Sequence, residues 1–193
     1  TFIVKDINPG TGSSNPTGLT VINGKLYFIA NDGTHGAELW ISDGSEFGTM
    51  LVKDIIPGAP GSSPQYPYSS SLTHVNGVLY FTIPDHVWAV DARTGRQLWH
   101  YQWQTTGGNH LGNRGVAIYE DWLYFETPDC FLISLNVKDG SERWRKQICD
   151  IDRFYYASAA PTVVKDHIIV GVSGDDFDIP GYIQAVHPES GEM

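Results

Sequence analysis

The chain has 193 residues, with 12 Lys and Arg against 22 Asp and Glu, a formal net charge of −10. With no basic cluster to offset that charge, phosphate backbones are repelled and nucleic acid is excluded as a partner; no apolar run reaches the roughly 18 residues of a membrane span. Charged residues are only 18% of the chain and aromatic residues are 12%, with 21 Gly and 11 Pro, which excludes a disordered acidic tail and points to a single β-rich domain with many tight turns. Thr1 rather than Met opens the chain and no signal peptide is visible, which fits a processed or recombinant chain.

In chain order, the first element is a hairpin, "LTVINGKLYFIAND" at 19–32. Apolar residues flank Asn23-Gly24, a pair suited to a two-residue turn in which both positions need positive φ. The phrase returns as "LTHVNGVLYFTIPD" at 72–85, "VAIYEDWLYFETPD" at 116–129 and, more loosely, "PTVVKDHIIVGVSG" at 161–174. Asn76-Gly77 is an equally strong turn pair, whereas Glu120-Asp121 and Lys165-Asp166 hold the same place with weaker turn chemistry. The turns lie 53, 44 and 45 residues apart. A hairpin at that period is the mark of a repeat fold, and each unit has room for about four short strands. No stretch keeps a helical period. The expected fold class is therefore all-β: a β-propeller of about four four-stranded blades, either a small closed ring or half of an eight-bladed ring.

Between the hairpins the sequence changes style. The first unit continues as "NDGTHGAELWISDGSEFGTMLVKDIIPG", and its "VKDIIPG" at 52–58 echoes "VKDINPG" at 4–10. Glu38-Leu39-Trp40, Asp43-Gly44 and Gly48-Thr49 resemble secreted bacterial repeats of the form ELWxxDGTxxGT, over roughly residues 1–66. No enzymatic chemistry attaches to such repeats. In "NDGTHG" a turn is preferred over a calcium site.

From residue 67 a different pattern takes over. "AVDARTGRQLW" places Ala89, Asp91, Thr94, Gly95 and Trp99 at the spacing A-x-D-x-x-T-G-x-x-x-W. Ser134, Asn136, Asp139, Gly140 and Trp144 repeat it, and a third copy starts at Ala185. The Asp and Thr-Gly shape a turn, and a Trp four residues on has the area to dock one blade on the next. Residues 67–193 thus resemble the quinoprotein alcohol dehydrogenases, propellers with tryptophan-docking motifs that bind pyrroloquinoline quinone (PQQ). The two segments are read as one continuous structural domain. The whole reads as a join of two propeller types, an engineered or recombined chimera or a fragment, with a natural hybrid as the alternative.

The resemblance implies a cofactor site. Arg114 in "GNRGVA" matches an Arg that pairs with anionic cofactor oxygens. Ser158 falls where the family has a hydroxyl, and Ser173 and Gly174 match small residues that approach PQQ. Asp176 stands in for a Glu that ligates calcium, one methylene shorter. Bland readings stand beside these: a local ion pair for Arg114, ordinary strand residues for Ser158 and Ser173, and a solvated loop for Asp175, Asp176 and Asp178.

Departures are equally plain. Where many members have two adjacent cysteines this chain has Gly108-Asn109, and Ser69 replaces a cofactor-facing Glu. The family's second calcium ligand, its general-base Asp and the Trp beneath the cofactor have no match here. No catalytic residue is assigned. No hydrolase, zinc-protease or P-loop motif is present, and His110 and His167 read as surface or strand residues. Cys130 and Cys149 are open to pairing, with free buried thiols at least as well favoured.

The expectation is a quinoprotein-like scaffold with an incomplete PQQ and calcium site, inactive alone. The alternatives are a piece of a PQQ- and calcium-dependent alcohol dehydrogenase, acting on a small alcohol within a larger assembly, and an extracellular binding propeller. A homodimer completing a larger ring, and a periplasmic or secreted location, go with these readings.

Overall fold

The computed structural model describes residues 2–54, 72–83, 85–107, 113–174 and 177–193, the side chain of Ile83 excepted. Fifteen strands form four antiparallel sheets, each taken from one continuous stretch of chain. Sheet I holds β1 (Thr17–Ile22), β2 (Lys25–Asn31), β3 (Ala37–Ser42) and β4 (Met50–Lys53). Sheet II holds β5 (Thr73–Val75), β6 (Val78–Ile83), β7 (His86–Asp91) and β8 (Gln97–Gln102). Sheet III holds β9 (Ala117–Tyr119), β10 (Trp122–Glu126), β11 (Phe131–Asn136) and β12 (Glu142–Gln147). Sheet IV holds β13 (Thr162–Val164), β14 (His167–Gly174) and β15 (Ile179–Val186), three strands among the described residues where four are expected. One helical turn, Ile151–Arg153, links sheets III and IV.

The hairpins fall where the repeated phrase put them. Asn23 and Gly24 have φ of 50° and 77°, and Asn76 and Gly77 have 50° and 80°, the left-handed pair of a type I′ turn. At the two weaker sites only the first residue is left-handed, Glu120 at 54° and Lys165 at 55°. Those turns close around an ordinary second residue, so neither needs a glycine. The Asp-Thr-Gly turn also has a visible cause. Asp91 Oδ1 accepts the amides of Arg93 and Thr94, and the Asp91 carbonyl accepts the amide of Gly95. These bonds hold the Asp91 carboxyl below the usual carboxylate range.

Strand alternation puts one face of each sheet against the next. Ile22, Tyr27 and Leu39 of sheet I pack on Leu79, Phe81, Trp88 and Val90 of sheet II. Tyr80, Ala89 and Trp99 of sheet II pack on Leu123, Phe125, Ile133 and Leu135 of sheet III. Tyr124 and Leu132 of sheet III pack on Ile168, Val170, Val172 and Val186 of sheet IV. The core is thus three seams and a fourth cluster on the far face of sheet I, where Phe28, Ala30 and Trp40 are buried with Ile7, Leu26 and Leu51 against them. Apolar residues on the two outer faces, Leu19 and Val21 on β1 and Tyr182 and Ile183 on β15, are exposed.

Two seams share one device. The Val137 carbonyl accepts the Tyr80 hydroxyl at 3.1 Å and the Trp99 indole at 2.9 Å. One sheet later the Pro188 carbonyl accepts the Tyr124 hydroxyl and the Trp144 indole, both at 3.2 Å. Each indole lies over a turn glycine: an ideal Cβ on Gly140 would sit 2.7 Å from Trp99, and one on Gly191 would sit 3.1 Å from Trp144. At the first seam the matching glycine, Gly95, faces Val52 instead. Arg143 reinforces the third seam, stacking 3.8 Å over Trp122 and donating to Tyr124 Oη and the Pro188 carbonyl.

Cys130 and Cys149 form a disulfide, which resolves the alternative that the sequence left open in favour of pairing. Sequence spacing could not show that the β10–β11 turn and the end of β12 meet, which the strand pairing of β11 with β12 brings about. In "NDGTHG" Asp32 spends its oxygens locally, on the amides of Thr34 and His35 and on the His35 ring at 2.6 Å. That is a turn.

Candidate functional site

The candidate site lies against the inner part of sheet IV. Along β14, Ile168, Val170 and Val172 are buried in the third seam, while Gly171 and Ser173 alternate onto the other face. The segment before β13 runs beside this strand, because Tyr156 and Ser173 exchange both backbone hydrogen bonds at 2.9 Å. That bridge brings Ser158, 7% exposed, to the face that carries Gly171 and Ser173.

Arg114 arrives from the segment ahead of β9. Asn113 Nδ2 donates to the Glu126 carbonyl at 2.8 Å, and Asn113 Oδ1 accepts the Gly115 amide at 3.0 Å. This Asn clasp, with Gly115 at φ 132°, fixes the backbone on both sides of Arg114. The three segments line an open cavity of about 560 Å³ whose walls include Arg114, Ser158, Ala159, Gly171 and Ser173. Tyr182 and Ile183 of β15 form its far edge. Ile183 is 79% exposed, so that edge meets solvent. The Tyr182 hydroxyl donates to the Ile148 carbonyl, next to Cys149, which ties the edge to the disulfide-closed end of sheet III.

Of the residues singled out from sequence, Arg114, Ser158 and Ser173 share one cavity. Gly174 is buried, facing Ile179, and is not part of the wall. Asp176, Asp175, Ser69, Gly108, Asn109 and His110 lie outside the described residues. His167 is at the exposed start of β14, with Asp166 at 2.8 Å. Among the described residues no three His, Cys, Asp or Glu side chains gather as a metal site, and no helix is long and apolar enough to cross a membrane.

One residue escaped the sequence reading. Glu126, fully buried at the end of β10, accepts the Gly171 amide on Oε1 at 3.2 Å, and the Ala159 amide also bonds its carboxyl. Both amides belong to residues of the cavity wall. Burial pushes its pKa up to about 8, against the pull of the two amides. The signal was present in the repeat: Ile29, Thr82, Glu126 and Gly171 occupy the same place in the four hairpin phrases, and only Glu126 is ionisable.

The chemistry of this wall suits a flat, anionic, oxygen-rich ligand. Arg114 supplies charge, the two serines supply hydroxyls, and the volume lies within the range of small-molecule sites. An ideal Cβ on Gly171 would meet only Ala159, at 3.8 Å, so the glycine leaves open space where a side chain would fill the cavity.

Comparison with known proteins places these features. The family model described as outer membrane protein assembly factor BamB matches residues 9–176. Quinoprotein alcohol dehydrogenase PedH of Pseudomonas putida KT2440 is 41% identical over 123 residues, covering 61% of this chain and 21% of that protein. The solved structure of quinohemoprotein alcohol dehydrogenase ADHIIG from Pseudomonas putida HK5 superposes with a TM-score of 0.60 at 32% identity, covering 63% of this chain and 19% of that one. The computationally designed Ika4 protein superposes with a TM-score of 0.56 over 96% of this chain and 98% of its own, at 13% identity, a likeness of fold alone. The chain spans about a fifth of the length of the curated relatives it matches. The fold is a β-propeller in the manner of these relatives.

Proposed function

Because this chain belongs to the β-propeller family described as outer membrane protein assembly factor BamB, we propose that it is a quinoprotein-like propeller segment whose cavity receives PQQ without forming an alcohol dehydrogenase by itself. The observation that carries this reading is the meeting of Arg114, Ser158 and Ser173 on one cavity wall. PQQ, when bound, supplies a two-electron acceptor for alcohol oxidation. This chain's part is to hold it: Arg114 faces its anionic oxygens, Ser158 and Ser173 donate hydroxyl hydrogen bonds, and Gly171 leaves room for a flat ring. Gly174 supports the wall from behind, and Asp176 is proposed as a calcium ligand on resemblance alone. Among the described residues of the cavity wall no carboxylate stands as a general base, so alcohol oxidation is proposed only for an assembly that provides one. A periplasmic or secreted location belongs to the same reading, and the Cys130–Cys149 disulfide supports an oxidising compartment.

The test is a PQQ titration with and without calcium, read by tryptophan fluorescence on the wild type and on Arg114→Ala. Saturable quenching at micromolar PQQ that Arg114→Ala weakens about tenfold or more, the scale of one lost charge-assisted contact, is the expected result. Quenching that is absent, or unchanged in the variant, removes the quinone reading and leaves an interaction propeller. Loss of affinity on removing calcium would support the Asp176 assignment.

A further inference from the structure

Glu126 sits where three segments of the cavity wall converge. Its carbonyl holds Asn113, and so the backbone that presents Arg114. Its carboxyl holds Ala159, next to Ser158, and Gly171, two residues before Ser173. Oε2 has no hydrogen-bond partner among the described residues. Oε1, which accepts the Gly171 amide, fits the carbonyl oxygen of a neutral acid, with the proton on Oε2. A bare anion in the same place would be a buried charge without a cation.

Among the described residues, the titratable groups on the surrounding elements do not supply that cation. Arg114 lies on the cavity wall and contributes nothing to the Glu126 shift. Asp129, beyond β10, is engaged by the Trp103 indole and by Thr106. Tyr155 and Tyr156 before β13, and Tyr182 on β15, are phenols, which carry no positive charge in either state, and burial raises the Tyr182 hydroxyl above its ordinary range. Burial alone raises Glu126.

We propose that Glu126 is the positioning residue of this cavity: its carboxyl clasps the Ser158 and Ser173 segments across the third seam, and its ionisation, by placing an unhydrated charge there, favours a locally opened, hydrated seam and disfavours an anionic ligand, even though the amides bond a carboxylate at least as well. The ligand half rests on the PQQ reading; the clasp half does not. The folded protein holds this proton more tightly than the unfolded chain. The stabilisation it brings is therefore complete below the ordinary glutamate range and is lost as pH rises toward about 8, with no further change above.

Two measurements test the two halves separately. The first is amide hydrogen exchange of Ala159 and Gly171 by NMR on the ligand-free chain at pH 6.5 and pH 9, expressed as protection relative to the unstructured rate. Wild-type protection is expected to fall about tenfold or more between these pH values, following ionisation of the clasp. Glu126→Gln, which keeps the accepting carbonyl, is expected to stay protected at both pH values, and Glu126→Ala to be unprotected at both. Wild-type protection that ignores pH overturns the proposal, as does a Gln variant as unprotected as the Ala variant. The wild-type profile decides the matter even where a variant fails to fold. The second measurement is PQQ affinity over the same range. It is expected to weaken about tenfold in the wild type and to stay level in Glu126→Gln. A wild-type affinity that stays level overturns the ligand half. A protein that binds no PQQ at either pH overturns the quinone reading and with it the ligand half, while the exchange result still decides the clasp.

Discussion

The first seam and the two that follow solve the same packing problem with different chemistry. Sheets II and III, and sheets III and IV, meet through an indole laid over a turn glycine, with one carbonyl accepting both that indole and a tyrosine hydroxyl. Sheets I and II meet at the equivalent glycine, Gly95, through the aliphatic Val52. Val52 fills space but donates nothing, and it buries far less area than an indole. The repeat period is therefore preserved while the strength of the contact is not. The weaker seam lies away from the cavity, and the third seam, which the disulfide, Arg143 and Glu126 all reinforce, carries it. The site is built where the propeller is most firmly joined.

Substitution at the docking positions separates the seams most widely. Trp99→Ala is expected to cost about 3–5 kcal/mol, as for other large aromatic truncations in a core. Val52→Ala is expected to cost about 1 kcal/mol, the transfer of one or two partly buried methyl groups. Denaturant midpoints of the two variants check this, and equal losses would mean that the indole contributes no more than its aliphatic counterpart.

Opening the Cys130–Cys149 bridge comes next. A link between positions 19 apart in sequence is worth about 3 kcal/mol in the unfolded chain. A double Cys→Ala variant should melt well below the wild type, and added reductant should lower only the wild type. Because Ile148 receives both the Tyr182 hydroxyl and the Gln184 amide, fluorescence-detected ligand binding should weaken in the same variant. Undiminished binding would show that the third seam holds the cavity edge without the bridge.

The turn glycines give the smallest and sharpest contrast. Gly140 at φ 73° lies under Trp99, whereas Gly44 at φ 88° has nothing within 4 Å of an ideal Cβ. Gly44→Ala should lose about 1 kcal/mol from the left-handed backbone alone. Gly140→Ala should lose roughly 1 kcal/mol or more beyond that, by lifting the indole from its seat. Thermal melting of the pair distinguishes them, and indistinguishable melts would remove the indole–glycine contact as a determinant of the seam.

Much of this architecture was legible in the chain. The Asn-Gly turns, the alternation around them and the period near 45 residues specify local hairpins and their repetition, because turn chemistry and strand pattern act over a few residues. The Asp-Thr-Gly-Trp spacing marked Trp99 and Trp144 as contacts between repeats. The order of Arg114, Ser158 and Ser173 pointed to a shared site. Val52 as the counterpart of two tryptophans could not be seen, since "MLVKD" shares only a leucine with "QLWHY" and has no aromatic residue. Strand register does not equate the two positions, because the bulge falls at Leu39/Trp40 in the β3–β4 pairing and at Ala89/Val90 in the β7–β8 pairing; only the stacking of the sheets sets Val52 and Trp99 each against a turn glycine.

The sequence by itself determined the hairpins, the turns between strands and the repeat, all of which rest on neighbours along the chain. Only the tertiary structure decided that Cys130 meets Cys149, that Glu126 is desolvated in a seam, which raises its pKa, and that Arg114, Ser158 and Ser173 line one pocket. Those features depend on desolvation and on contacts between residues some 20 to 60 positions apart, and both are set by how the sheets stack rather than by any local pattern.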